Sequence, residues 1–168
     1  MLKPEDISNA IVYCISTPPN NEMDRFRNKI AVVTGSSSGI GQACAIALVK
    51  SGMIIKALAR RENKLEEIKD SLPADFRDNF HPIKCDVSKE DEVIKVFQDI
   101  NEQHGGVHVL VNNAGIYRPE HQLTFRNNTN DILDTINTNI MGTMYCTREA
   151  FHSMKERNIA GHIINMKY

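Results

Sequence analysis

The sequence has 168 residues, 41% apolar and 24% charged, and a formal net charge of −1. These proportions suit one soluble globular domain and leave no basic surplus for nucleic acid or an anionic membrane surface. The longest apolar runs, such as Met53-Ile54-Ile55, are far too short to cross a bilayer, so no membrane partner is expected.

Residues 1–22 read as an extension of a main unit at 23–168. Pro4, Glu5 and Asp6 open a helix with Ile7, Ile11 and Ile15 on one face, and residues 17–21 (Thr-Pro-Pro-Asn-Asn) form a linker. The first residues lack the cationic and apolar segments of a secretory signal. Cys14, Cys44, Cys85 and Cys146 are scattered, as expected of small buried residues in a reduced, cytoplasmic protein. The histidines show no metal-ligand spacing, and no metal is expected.

From residue 29 two kinds of segment alternate. Short branched-apolar runs at 29–34, 53–59, 80–85, 107–112 and 162–166 read as strands buried on both faces. Between them lie helical patterns. Residues 40–50 place Cys44 and Leu48 on one face, and residues 62–71 place Leu65, Ile68 and Leu72 together. A start signal at Ser88 with Asp91 precedes a helix burying Val93, Val96, Phe97 and Ile100. A long helix near 130–157 spaces Ile132, Ile136 and Ile140 four apart. This alternation predicts an α/β fold of the Rossmann type, a doubly wound parallel sheet ordered 3-2-1-4-5. Lys56 falls inside a strand that should be buried; either its amine reaches the surface or the register differs.

Thr34-Gly35-Ser36-Ser37-Ser38-Gly39-Ile40-Gly41 joins the first strand to the first helix. Gly35 permits a tight turn, Gly39 clears space for a ligand, and Gly41 lets helix and sheet approach. Free N–H groups at the helix start suit a pyrophosphate, and Ser36, Ser37 and Ser38 add hydroxyl donors. The plain alternative is a Gly/Ser turn without a ligand.

The Gly-x-x-x-Gly-x-Gly spacing resembles that of the short-chain dehydrogenase/reductase family. Asp86-Val87 after the third strand, Asn112-Asn113-Ala114-Gly115 after the fourth and Asn139 in the long helix match the family's further elements in order. The sequence is most like the family's insect farnesol dehydrogenase-like branch. The resemblance implies that Asp86 and Val87 meet the adenine, that Asn113, Ala114 and Gly115 line the nicotinamide side, and that Asn139 holds a relay water. It also implies hydride exchange with a small-molecule alcohol or ketone.

The second strand ends Leu58-Ala59-Arg60-Arg61, with no acidic residue where an unphosphorylated ribose would meet one. Arg60 and Arg61 therefore predict NADP(H); the alternative is a pair of solvated arginines before a helix.

The family's catalytic Ser and Tyr-x-x-x-Lys are not found among these residues. The resemblance thus implies a fragment lacking the family's last two strands, inactive alone and with an exposed fifth strand. Residues 1–22 resemble the family's C-terminal Pro-Glu-Asp-Ile segment, which suggests either a join of two gene copies or an unrelated helix. The long helix implies a homo-oligomer contact, unless its isoleucines are plain core. The rival to an oxidoreductase is a non-catalytic dinucleotide-binding or interaction module, or a non-functional gene product.

Overall fold

The structure is a computed structural model that describes residues 3–16, 26–117 and 126–166. The expected linker at 17–21 and residues 167–168 lie outside the described residues.

Five strands, β1 (Ile30–Thr34), β2 (Ile54–Ala59), β3 (Phe80–Lys84), β4 (Val109–Asn112) and β5 (His162–Asn165), form one sheet ordered β3-β2-β1-β4-β5. Every pairing is parallel. Apolar runs have no solvent face to offer, so β1 and β4 fill the buried centre. Burial on both faces does not extend to β3 and β5, which are only partly covered. Among the described residues each has a strand on one side only. Pro82 fits this position, because an edge strand tolerates a missing N–H.

Successive strand residues point to opposite faces, which makes two cores. Val33 and Ile55 join one cluster with Cys44 and Leu48 of α2 (Gly39–Lys50) and Leu65 of α3 (Glu62–Ser71). Val32 and Leu110 join the other with Val96 and Phe97 of α5 (Glu90–His104) and Cys146 of α7 (Gly142–Glu156). The four residues predicted to be the buried stripe of α5 are the ones buried. Its start differs from expectation. Lys89 holds the N-cap position, and the Ser88 hydroxyl donates instead to Asp86 Oδ1 at 2.8 Å. A one-turn helix, α4 (Ala74–Arg77), is too short to leave a periodic signal.

Helix α1 (Pro4–Ser16) forms where the acidic first turn predicted it and packs on α2. It buries Ile11 and Ser8 and extends the first core. The long helix is three pieces: α6 (Thr129–Ile136), a π-helical turn at Asn137–Met141, and α7. Ile136 and Ile140 are not core residues; they are 41% and 53% exposed.

Lys56 is a strand residue in the expected register and is 3% exposed. Its amine does not reach the surface. It meets His104 Nε2 at 2.6 Å, at the last residue of α5. Burial lowers the Lys56 pKa to about 8, which limits the cost of a charge inside the sheet.

Candidate functional site

The parallel strands all end at one rim of the sheet, and the loops there surround a cleft of about 740 Å³. Such crevices at the carboxyl ends of parallel strands are where doubly wound folds bind ligands. Every residue singled out for the cofactor lines this cleft except Ser36 and Gly41, and Asn139 lines it too.

The rim is held by Thr34, a polar residue closing an apolar strand. Its hydroxyl accepts the N–H groups of Asn113 and Ala114, each at 3.0 Å. Asn113 Nδ2 donates back to the carbonyls of Thr34 and Gly35 at 3.0 and 3.2 Å. The loops after β1 and β4 are thereby fixed against each other. Gly35, at φ +68°, lies so close that a Cβ would fall 2.8 Å from Ala114 Cα. Gly41 sits behind the loop, where a Cβ would overlap Asn113 Nδ2 and the Gly35 carbonyl. Gly39, at φ +60°, would meet nothing within 4 Å, so its surroundings are open.

The three serines divide. Ser36 is fully buried, and its hydroxyl donates to the Val33 carbonyl at 2.6 Å, so it does not face the cleft as expected. Its N–H donates to the Leu58 carbonyl at 3.2 Å and ties the loop to the end of β2. Ser37 and Ser38 face outward. Arg61 Nη2 donates to both hydroxyls, at 2.9 and 3.1 Å. Among the described residues neither Arg60 nor Arg61 meets a carboxylate.

Asp86 follows β3. One carboxylate oxygen accepts the N–H and the hydroxyl of Ser88 at 3.1 and 2.8 Å, which orients the other. Val87 beside it is in close contact with α7, because a Cβ on Gly142 would fall 2.8 Å from Val87 Cγ2. At the end of β4, Asn112 is buried and its Nδ2 donates to Thr147 and Asn165, at 2.9 and 2.8 Å. Asn112 thereby links β4, β5 and α7, a structural task distinct from that of Asn113.

Asn139 lies in the π-helical turn, a distortion common at functional sites. Its side chain clamps Ile116: Oδ1 accepts the Ile116 N–H at 2.8 Å, and Nδ2 donates to the Ile116 carbonyl at 2.9 Å. Ile116 and Tyr117 open the loop that the sequence placed beside the pocket, and both line the cleft, whereas Thr34 and Thr138 are site residues that the sequence reading missed. Thr34 and Thr138 each adjoin a residue that was singled out, and that adjacency was the available signal. Among the described residues no group of three His, Cys, Asp or Glu could hold a metal ion.

The sheet order, the glycine turn at a helix start and the cleft define a dinucleotide-binding α/β domain. The short chain dehydrogenase family profile matches residues 29–167. The chain belongs to that family, whose members bind nicotinamide dinucleotides and act as oxidoreductases. It is 44% identical over 144 residues to farnesol dehydrogenase of Aedes aegypti, covering 86% of this chain and 58% of that enzyme. It is 41% identical over 146 residues to dehydrogenase/reductase SDR family member 11 of Homo sapiens, covering 86% and 55%. A solved short-chain dehydrogenase from Streptomyces avermitilis superposes with a TM-score of 0.68 at 31% identity, covering 82% of this chain and 48% of the other. The chain spans little more than half the length of the curated relatives it matches.

Proposed function

We propose that this chain binds NADP(H) in the cleft and represents part of an oxidoreductase that exchanges hydride with an alcohol or ketone. One observation carries the cofactor choice. The Arg61 guanidinium stands over Ser37 and Ser38 at the end of β2, paired with neutral hydroxyls and no carboxylate. A cation so placed favours a dianionic 2′-phosphate, and charge-assisted hydrogen bonds to it contribute about 1.5–3 kcal/mol each. Ala59, where an acidic residue would select a free ribose, leaves nothing to oppose it.

The residues present fit the dinucleotide. The cleft volume lies within the range of small-molecule sites. The start of α2 offers free N–H groups and a positive dipole end to the pyrophosphate, and the open space at Gly39 admits its close approach. Asp86 and Val87 lie on the wall assigned to the adenine. Asn113, Ala114 and Gly115 lie on the wall assigned to the nicotinamide, with Asn139 holding Ile116 behind them. When bound, the nicotinamide supplies or accepts the hydride.

These 168 residues hold no Tyr-x-x-x-Lys pair, so no turnover is expected from them alone. Titration of the protein with NADPH and NADH tests the whole. Preference for NADPH that disappears in Arg60→Ala/Arg61→Ala supports the assignment. Equal affinities in the parent protein refute NADP(H). NADPH binding without oxidation of any alcohol favours the non-catalytic reading, a dinucleotide-binding module.

The exposed Leu133, Ile136, Ile140, Met144 and Phe151 lie along α6 to α7 and support contact with a second copy. Three free, buried thiols, Cys44, Cys85 and Cys146, support a reducing cytoplasmic setting. Among the described residues no helix is long and apolar enough to cross a membrane.

A further inference from the structure

A lysine inside a parallel sheet ordinarily swings its amine out to water or against a carboxylate, because an unpaired charge there is costly. Lys56 does neither. It is 3% exposed, and among the described residues no carboxylate pairs with it. Its Nζ meets His104 Nε2 at 2.6 Å. His81, paired with Lys56 across β2 and β3, brings a second imidazole, centred 5.9 Å from that of His104. Lys56 and His104 also line a cavity of about 60 Å³ between β2, β3 and α5. Ile83, Val96 and Ile100 give it apolar walls, and the exposed Asp99 and Gln103 stand at its rim. The cavity shares no lining residue with the dinucleotide cleft.

We propose that Lys56 is a modification site that accepts a small uncharged acyl group from a thioester, with His104 taking up the amine proton. Burial lowers the Lys56 pKa from 10.5 to about 8, so near pH 8 about half of the amine is neutral and nucleophilic. Burial, with Lys56 nearby, also lowers the His104 pKa and keeps its ring neutral, able to accept a proton. The small apolar cavity suits a methyl group, and the Asp99 carboxylate at its rim opposes an anionic acyl group. In the step, Lys56 Nζ attacks the thioester carbon, and a C–N bond forms as the C–S bond breaks. One amine proton passes to His104 Nε2 and on to the leaving thiolate, so the products are an amide and a thiol. The amide removes a charge from the sheet, and its N–H remains a donor for His104.

The probe is S-acetyl-N-acetylcysteamine, a small uncharged acetyl thioester, with acetylation of each lysine in the folded protein followed by peptide mass spectrometry. At pH 8 the neutral fraction favours Lys56 over an ordinary lysine roughly a hundredfold, and the weaker nucleophilicity of a less basic amine removes about a factor of ten. Lys56 should therefore react about tenfold faster than the exposed Lys50 and Lys95. Its rate should level off above about pH 8 while theirs still climbs. The S-benzoyl thioester, too bulky for the cavity, should lose the preference for Lys56. His104→Gln keeps an acceptor without a base and should slow Lys56 at least about fivefold, with Lys50 and Lys95 unchanged. Lys56 reacting no faster than Lys50 and Lys95 in the parent protein overturns the proposal, whatever the variant does. Equal preference with the benzoyl thioester means that the amine reacts outside the cavity and overturns it too. An unchanged rate in His104→Gln removes the role given to His104.

Discussion

Asn139 returns both ends of its amide to one residue, accepting the Ile116 N–H at 2.8 Å and donating to the Ile116 carbonyl at 2.9 Å. The clamp joins the π-helical turn to the segment leaving β4, so the wall of the cleft beyond Gly115 takes its position from a side chain in a distant helix. Asn139→Ala leaves a part-buried N–H and carbonyl without partners, at a cost of about 1–3 kcal/mol. Asn139→Asp should be at least as harmful, because a carboxylate cannot donate and would face the Ile116 carbonyl. Urea titration measures both. A midpoint within error of the parent in either variant would show that the clamp contributes nothing.

The glycines of the loop should separate in a way that motif matching does not foresee. Gly35 combines a left-handed φ of +68° with a neighbouring backbone that a Cβ would strike, while Gly41 has only the collision, with Asn113 Nδ2 and the Gly35 carbonyl. Gly39 has a φ of +60° and open space. Gly39→Ala should therefore cost about 1–2 kcal/mol of backbone strain and leave the fold intact. Gly35→Ala and Gly41→Ala should lose substantially more, because backbone on both sides must move. Thermal melting gives the ranking, and Gly39→Ala melting lowest of the three would reverse the reasoning.

The buried Lys56 meets the imidazole of His104 rather than a carboxylate, shares a small cavity with Asp99, and lies within electrostatic reach of His81. Burial lowers its pKa from 10.5 to about 8, so the folded protein binds fewer protons there than the unfolded chain between those values. Unfolded chains that hold more protons are favoured by acid, and stability should rise as pH climbs from about 8 toward 10.5. His81, lowered from 6.5 to about 4 mainly by burial and then by Lys56, should cost stability as pH falls through that window. Lys56→Met keeps the length and removes the charge. It should raise stability below pH 8 and flatten the alkaline slope. Denaturant midpoints across pH settle this, and a variant less stable than the parent at pH 7 would mean that the His104 contact outweighs the buried charge.

The parts of the molecule legible in the sequence are those set by local pattern. The α5 stripe from Val93 to Ile100 and the turn from Gly35 to Gly41 are written in spacing alone, and the sheet order follows from the alternation of strands and helices. What was missed joins residues far apart in the chain. Thr34 meets Asn113 and Ala114 across 79 and 80 positions, and Lys56 meets His104 across 48. No periodicity records such partners. The Ser88 capping signal failed because a nearer acceptor, Asp86 Oδ1, took the hydroxyl. The exposure of Ile136 and Ile140 was equally hidden, since periodicity gives a helix an apolar stripe but not what covers it.

Helix α1 lies outside the family match, yet its contacts are those of a core element. Ile11 is 6% exposed and Ser8 3%, with Ile7 and Val12 packed beside them against the cluster that includes Cys44, Leu48 and Val33. Ile11→Asp would place an unpaired carboxylate in that cluster and remove the apolar contacts at once. The expected loss is at least about 3 kcal/mol, the sum of a large-to-small core change and a buried charge. Glu5→Ala on the same helix, an exposed position, should change stability by less than about 0.5 kcal/mol. The two variants together separate docking of α1 from its mere presence. If Ile11→Asp unfolds at the same denaturant concentration as Glu5→Ala, α1 contributes nothing to the fold and its packing against α2 is incidental.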